Sequence, residues 1–198
     1  ITNAYEANLT TRGTGSNMGA SDILEVFSIF GQQSSSSYEY ARALIQFPLS
    51  EITSKRSAGT MPASGSVEFY LNLYNAVHTE QVPTQFNLFV LPISQSWQEG
   101  TGLDMVEYTD LTYDRDGSNW INNASGSTWA AQGGDYLIQE AVTASFETGL
   151  EDLSIDVSSI VEKWIKGASG GHYDNYGFGI KLSTAHENTP KRFFTKKF

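Results

Sequence analysis

Acidic side chains are concentrated between Trp97 and Asp135, where seven carboxylates could hold calcium or form an acid–base pair. A glycosidase needs two carboxylates about 5 to 10 Å apart across a cleft, and no sequence pattern shows that arrangement. Asp114, Asp116 and Ser118 have calcium-loop spacing, but glycine falls at the fourth position and no acid at the twelfth. A looser calcium site is the remaining metal hypothesis, with an Asp-Gly turn as its alternative. Its candidate ligands are Asp110, Asp114, Asp116 and Asp135.

Other catalytic motifs do not match. The chain has no cysteine, so a thiol nucleophile is excluded, and no G-x-S-x-G elbow marks a serine nucleophile. The three histidines have no shared spacing of the kind that metal sites use. The "GTGSNMG" turn does not match a dinucleotide fingerprint and is predicted to be a loop. The sequence therefore assigns no catalytic residue, and a polysaccharide hydrolase or lyase that uses a carboxylate of the 97–135 segment is the enzymatic alternative.

Aromatic side chains offer a different chemistry, because flat rings can stack on sugars. In "SVEFYLNLY" the alternation points Tyr70 and Tyr74 away from the core, while Trp120 and Trp129 lie in the long 97–135 segment. Long segments of this kind also fold aromatic rings inward to seal a sandwich, and we favour that interpretation for the tryptophans. The candidate sugar-binding residues are Tyr70, Tyr74, Trp120 and Trp129.

Composition restricts the class of protein. A chain of 198 residues fits one domain, and only 17% of its residues are charged, so Ser, Thr, Asn, Gln and Gly must form much of its surface. The net charge of −10 argues against a nucleic-acid partner, because phosphate contacts need clustered Lys and Arg. No apolar run is long enough to predict a membrane span. The first residue is Ile1, which suggests a processed chain or a fragment.

Most of the chain has the period-two alternation of β-strands. The predicted strands are "DILEVFSIF", "ARALIQFPL", "SVEFYLNLY", "FNLFVLPI", "YGFGIKL" and "RFFTKKF". The 97–135 segment between them is long and weakly periodic, and with three of the four tryptophans it is predicted to be a packed flap. An all-β fold is therefore expected.

One segment is patterned as a helix instead, over about 157–166. Val157, Ile160, Val161 and Trp164 recur at i, i+3, i+4 and i+7, which makes one apolar stripe. Either a Ser159–Glu162 capping box or Asp156 could begin the helix, and Gly167 is placed to end it. So short a helix needs burial of its stripe, and we expect it to cover one open end of a sandwich.

These segments in order resemble the DNRLRE domains, a disaggregatase-related family that overlaps a carbohydrate-binding module family. The matching pieces are "NMGASDILEV", "RALIQFPLS", "ASGSVEFYLNLY", "SWQEG", "SNWINNASGSTWAAQGGDY", "LSIDVSSIVEKWIKG" and "NYGFGIKL". The resemblance covers nearly the whole chain and implies a jelly-roll-like antiparallel β-sandwich in which one short helix closes one end. It implies a single domain over 1–198 that contains the 97–135 flap. The residues given structural roles are Trp97, Trp164, Tyr176 and Phe178.

The resemblance also implies a function without catalysis. Family members are mostly non-catalytic, and some bind acidic polysaccharide with calcium nearby. The family's last strand lies beyond the segment matching "RFFTKKF", so that strand is missing here or is supplied by a neighbouring chain.

Stand-alone versions with "SQSWQEG" and "GGDYL" are similar to structural proteins of tailed-phage virions. We therefore expect a non-enzymatic virion-surface protein, such as a capsid-decoration, neck or fibre component. Its partners would be other virion proteins or copies of itself, without nucleic acid or membrane. The alternative is an extracellular or cell-surface module for acidic polysaccharide, with calcium as its one cofactor.

Overall fold

The computed structural model describes residues 2–3, 16–30, 38–76, 83–103, 117–170, 172–182 and 189–194. These residues form mostly antiparallel strands, which confirms the predicted all-β sandwich. The strands are β1 (Thr2–Asn3), β2 (Ile23–Phe30), β3 (Tyr38–Ile45), β4 (Tyr70–Leu73), β5 (Phe86–Pro92), β6 (Asn122–Ala124), β7 (Ser127–Thr128), β8 (Val142–Phe146), β9 (Leu153–Asp156), β10 (Phe178–Leu182) and β11 (Thr189–Phe194). The helices are α1 (Ser50–Ser57), α2 (Ser158–Lys166) and two single-turn 3₁₀ helices (Ile138–Glu140 and Ala168–Gly170).

The strands form one large sheet and two small ones. The large sheet has the order β11-β2-β3-β10-β5-β8, and the two-residue β1 pairs with β3. In its centre Ile180 of β10 aligns with Ala43 of β3 on one side and with Val90 of β5 on the other. The strands β4 and β9 form a separate pair, and β6 and β7 form a short hairpin within the flap.

The main core lies between the inner face of the large sheet and a layer made of β4, β9 and α2. Alternate residues of β4 and β5 face it, as their sequence pattern predicts, while Tyr70, Asn72 and Tyr74 are exposed. The buried members of this core include Leu24, Val26, Ala43, Leu71, Leu73, Leu88, Val90, Leu153, Ile160, Trp164, Phe178 and Ile180. Because each layer buries one apolar face against the other, the hydrophobic effect holds the sandwich together.

The described part of the flap covers the opposite, outer face of the large sheet. A second buried cluster forms there from Leu44, Ile93 and Trp129, with Trp97, Tyr136 and Tyr176 packed against it. The Tyr136 ring packs so closely on the backbone of Gly179 that a Cβ on Gly179 would lie 2.1 Å from Tyr136 Cε1. The large sheet therefore has chain packed on both of its faces.

The predicted helix is confirmed as α2, with Val157, Ile160, Val161 and Trp164 buried. The ring centroids of Trp164 and Phe178 lie 4.6 Å apart, so the helix packs on the central strand β10. Gly167 ends the helix with φ of 69°.

The predicted Ser159–Glu162 capping box is wrong. The N-cap is Val157, so Asp156, the alternative cap, lies one residue before it and accepts the Ser158 backbone N–H at 2.8 Å through Oδ1. Glu162 turns instead toward Arg56 and forms an ion pair with it. Tertiary pairing therefore decided the role of this carboxylate.

The expectation of a single helix is also wrong, because a second α-helix, α1, begins at Ser50, shortly after β3 ends at Ile45. The strand predicted over "ARALIQFPL" ends early, because β3 stops at Ile45 and Phe47 beyond it is 45% exposed. Helix α1 buries no residue and has no apolar stripe, so its sequence lacks the 3.6-residue periodicity that would have predicted a helix. Glu51 in its first turn and Lys55 in its last turn suit the helix dipole, and they pair at 2.7 Å.

Candidate functional site

An exposed row of side chains on β4 is the best-defined candidate surface. Tyr70 and Tyr74 are 52% and 65% exposed, and Asn72 lies between them on the same face. Residues four apart on a strand are separated by about 13 Å, which spans two to three sugar rings. The partner strand β9 adds Ser154 and Asp156 beside Asn72 and Tyr70. We call Glu68, Tyr70, Asn72, Tyr74, Ser154 and Asp156 the tyrosine row.

Carboxylates make this surface acidic. The hydroxyl of Tyr70 donates a hydrogen bond to Glu68 Oε2 at 3.1 Å, and this carboxylate raises the pKa of Tyr70. Hydrogen bonds from Ser158 lower the pKa of Asp156, so its carboxylate stays ionised. At the end of the row, Asp152 accepts the Asn75 backbone N–H at 2.7 Å. The surface therefore offers hydrogen-bond acceptors beside two aromatic faces.

The two tryptophans proposed as sugar platforms lie inside the protein. Trp120 is 3% and Trp129 6% exposed, so neither ring presents a face to a ligand, and their place among the sugar-binding candidates is corrected. Trp129 Nε1 donates to the Asn119 carbonyl at 2.8 Å. Trp120 stacks against Tyr40 with ring centroids 6.4 Å apart. Burial of these large rings attaches the flap to the sheet, in line with the inward folding that the sequence favoured.

Of the four proposed calcium ligands, Asp110, Asp114 and Asp116 lie outside the described residues. Asp135 is described, and its carboxylate caps a turn by accepting the backbone N–H groups of Ala130 and Ala131, each at 2.8 Å. The side-chain amide of Gln95 donates to it as well. Within the described ranges, no three His, Asp or Glu side chains are grouped as a metal site would need.

The residues given structural roles occupy such positions. Trp97 Nε1 donates to the Tyr176 carbonyl at 2.7 Å, which fixes the start of the flap beside β10. Trp164 and Phe178 are in contact in the main core. The four residues thus connect the flap and α2 to the same strand, β10.

Sequence reasoning missed a buried polar centre at Asn17. Its Nδ2 donates to the carbonyls of Glu99 and Ser118, both at 2.8 Å, and its Oδ1 accepts from the N–H groups of Gly19 and Gly102. Asn17 therefore joins two separate segments of the flap, one at Glu99 and Gly102 and the other at Ser118. The glycines around "NMG" and "EGTG" were the available signal, because only Gly leaves room for such close packing of backbone and amide.

A second missed feature is a cationic group on the outer sheet face. Arg42 of β3 lies over the Trp120 ring, 4.5 Å from its centroid, and donates from Nη1 to the Gly133 carbonyl at 2.6 Å. Arg42 and Lys181 both lie near the ring of Tyr136, at 5.8 and 5.4 Å from its centroid. The sequence places Arg42 and Lys181 on predicted strands, but it does not show that the flap brings the Tyr136 ring close to both.

A scan against protein-family models, a search of curated proteins and a search of solved structures found no match to this chain. The likeness to DNRLRE domains therefore stays a prediction. Across the described residues, every helix is too short or too polar to cross a membrane.

Proposed function

We propose that this protein is a non-enzymatic structural β-sandwich on the surface of a virion, where it acts by packing and adhesion. The observation that carries the proposal is the double covering of the large sheet, by α2 and β4–β9 on one face and by the flap on the other. A sheet covered on both faces makes a rigid block suited to repeated assembly. The low content of charged residues and the net charge of −10 fit a surface component that avoids packaged nucleic acid.

The edges of the large sheet offer a means of assembly. Among the described strands, β11 at one end of the sheet pairs only with β2. A strand edge can accept a strand from a neighbouring subunit, since its main-chain groups supply the hydrogen bonds. In a virion this would link copies of the chain or join it to another capsid or fibre protein.

Density-gradient fractionation of the source material, with peptide mass spectrometry across the fractions, tests the proposal. Peptides of this chain are expected to band with particles that contain DNA and a major capsid protein. If the nuclease-resistant particles lack these peptides and the soluble or cell-surface fraction contains them, a virion role is refuted.

The tyrosine row favours a second function, binding of an extracellular polysaccharide. Two exposed rings separated by about 13 Å can stack on alternate sugars of one chain, while Asn72, Ser154 and Asp156 bind hydroxyl groups. Because Glu68, Asp152 and Asp156 are acidic, an acidic polysaccharide would need calcium to bridge it to this face. A neutral polysaccharide would bind without calcium.

Melting temperatures with neutral and uronate oligosaccharides, with and without calcium, test this second function. A ligand for the row raises the melting temperature by linkage, and Tyr70→Ala or Tyr74→Ala removes that rise. Phe47→Ala is the matched control, because Phe47 is exposed but lies outside the row. A rise that persists in both tyrosine variants would exclude the row as the binding surface.

A further inference from the structure

Two cations lie close together on the outer face of the large sheet. Gly179 and Lys181 are two residues apart on β10 and therefore lie on the same face of the sheet. Tyr136 packs directly on Gly179 at this face. Lys181 Nζ lies 5.4 Å and Arg42 Cζ 5.8 Å from the centroid of the Tyr136 ring. Both cations are partly buried, and Arg42 is held in place by Gly133 and the Trp120 ring.

No carboxylate among the described residues neutralises this pair. The described ion pairs join Lys55 to Glu51, Arg56 to Glu162 and Lys163 to Glu140, and none includes Arg42 or Lys181. The nearby Asp135 carboxylate instead accepts hydrogen bonds from Gln95 and the Ala130–Ala131 turn. Burial, and next the charge of Arg42, lower the pKa of Lys181, in keeping with a half-buried ammonium beside a second cation.

Like charges held near one another in a partly dry environment destabilise a fold unless an anion neutralises them. Arg42 forms hydrogen bonds with the Gly133 carbonyl and the Tyr136 side chain, which use only part of the five N–H donors of its guanidinium. The Lys181 ammonium has three donors. Arg42 and Lys181 therefore have donors for the oxygens of one planar or tetrahedral anion. The strongly negative total charge disfavours a long nucleic-acid polyanion at this face.

We infer that Arg42 and Lys181, which lie on neighbouring strands beside the Tyr136 ring, form a binding site for a single oxyanion, either a carboxylate or a sulfate group. The site is independent of the tyrosine row, which lies on the β4–β9 layer. It also does not depend on the virion proposal. The anion would lie beside the Tyr136 ring and bridge β3 to β10, with the flap fixed beside it.

NMR titration tests the inference, with chemical shifts of the Arg42 and Lys181 side-chain nitrogens and the Tyr136 ring as the readout. The probes are sodium sulfate, sodium glucuronate and a uronate oligosaccharide, each added at constant ionic strength against sodium chloride. Saturable shifts at these three residues are expected. Shifts that do not saturate and that chloride produces to the same extent would mean that the anions only screen charge. That result would overturn the site.

Substitutions locate the binding. Lys181→Gln is expected to weaken affinity by about tenfold or more, because it removes one charge-assisted contact. Lys166→Gln removes an exposed lysine from α2 and is expected to leave affinity unchanged. Lys181→Arg retains the charge, so it should preserve binding and keeps the test decisive if Lys181→Gln does not fold. Equal affinity in wild type and in a folded Lys181→Gln would refute the inference.

The probes also distinguish two sources of the anion. Binding of free sulfate or glucuronate with the affinity of the oligosaccharide identifies a site for a free anion. Binding of the oligosaccharide at far lower concentrations identifies a subsite for one acidic group of a glycan.

Discussion

Arg56 and Glu162 form a bidentate ion pair that joins α1 to α2. Nη1 of Arg56 lies 3.0 Å from one carboxylate oxygen of Glu162, and Nη2 lies 2.7 Å from the other. The side chains are only 16% and 11% exposed, so solvent screens the pair weakly. The Arg56 guanidinium holds the pKa of Glu162 below its usual value. A helix without any buried residue is thus fixed to the body of the protein by charge.

Glu162→Gln should lower the free energy of unfolding by about 1.5–3 kcal/mol, the range for a hydrogen bond to a charged group. The variant leaves the poorly exposed Arg56 without its opposite charge. Urea unfolding at neutral pH measures the loss. Glu51→Gln is the control, because the Glu51–Lys55 pair is 79% and 58% exposed and surface pairs contribute little. Equal losses in the two variants would contradict the assigned role.

Stability should fall in acid through Glu151. Hydrogen bonds from the backbone of Thr148, at 2.6 Å, and of Glu147, at 2.9 Å, lower the pKa of this carboxyl group from 4.5 to about 2. A depressed pKa stabilises the fold above the unfolded value of 4.5, and this contribution disappears as pH falls from 4.5 toward 2. The difference in unfolding free energy between wild type and Glu151→Gln should therefore shrink across that range. If the unfolding free energies of wild type and Glu151→Gln change in parallel with pH, the assigned role of Glu151 is contradicted.

Asn17→Ala should destabilise the protein by about 2–4 kcal/mol, because it removes an amide that makes four hydrogen bonds and leaves buried backbone groups in need of partners. Thermal and urea unfolding measure the loss. Asn72→Ala, at an exposed position of β4, is the control and should change stability by less than about 0.5 kcal/mol. Similar losses of unfolding free energy in Asn17→Ala and Asn72→Ala would mean that the Asn17 hydrogen bonds contribute little to stability.

Gly179→Ala should loosen the flap, since the added Cβ would lie 2.1 Å from a Tyr136 ring atom that must move. Overpacking of this kind costs about 1–3 kcal/mol. Tryptophan fluorescence should report greater exposure of Trp120 or Trp129. Gly170→Ala is the control, because its Cβ would meet nothing closer than 3.4 Å. An unchanged spectrum and stability in Gly179→Ala would refute tight packing of Tyr136 on the sheet.

The sequence by itself determined the all-β class, the main strands and the helix α2. Most of these elements turn one apolar face toward the main core, so their apolar residues recur with a period of two in the strands and 3.6 in the helix. The exposure of Tyr70 and Tyr74 followed from the same alternation. Gly167 marked the end of α2 because a glycine with positive φ ends a helix through local backbone geometry.

Only the tertiary structure decided how distant segments meet. Helix α1 was missed because an ion pair with Glu162, 106 residues away, attaches it rather than an apolar stripe. The flap has little periodicity, so burial of Trp120 and Trp129, the capping role of Asp135 and the four contacts of Asn17 depend on its position over the sheet. The pairing of Arg42 with Lys181 around Tyr136 likewise comes from three separate segments. Contacts between residues far apart in the chain leave no periodic signal in a single sequence, and here they decide which polar groups remain available to a ligand.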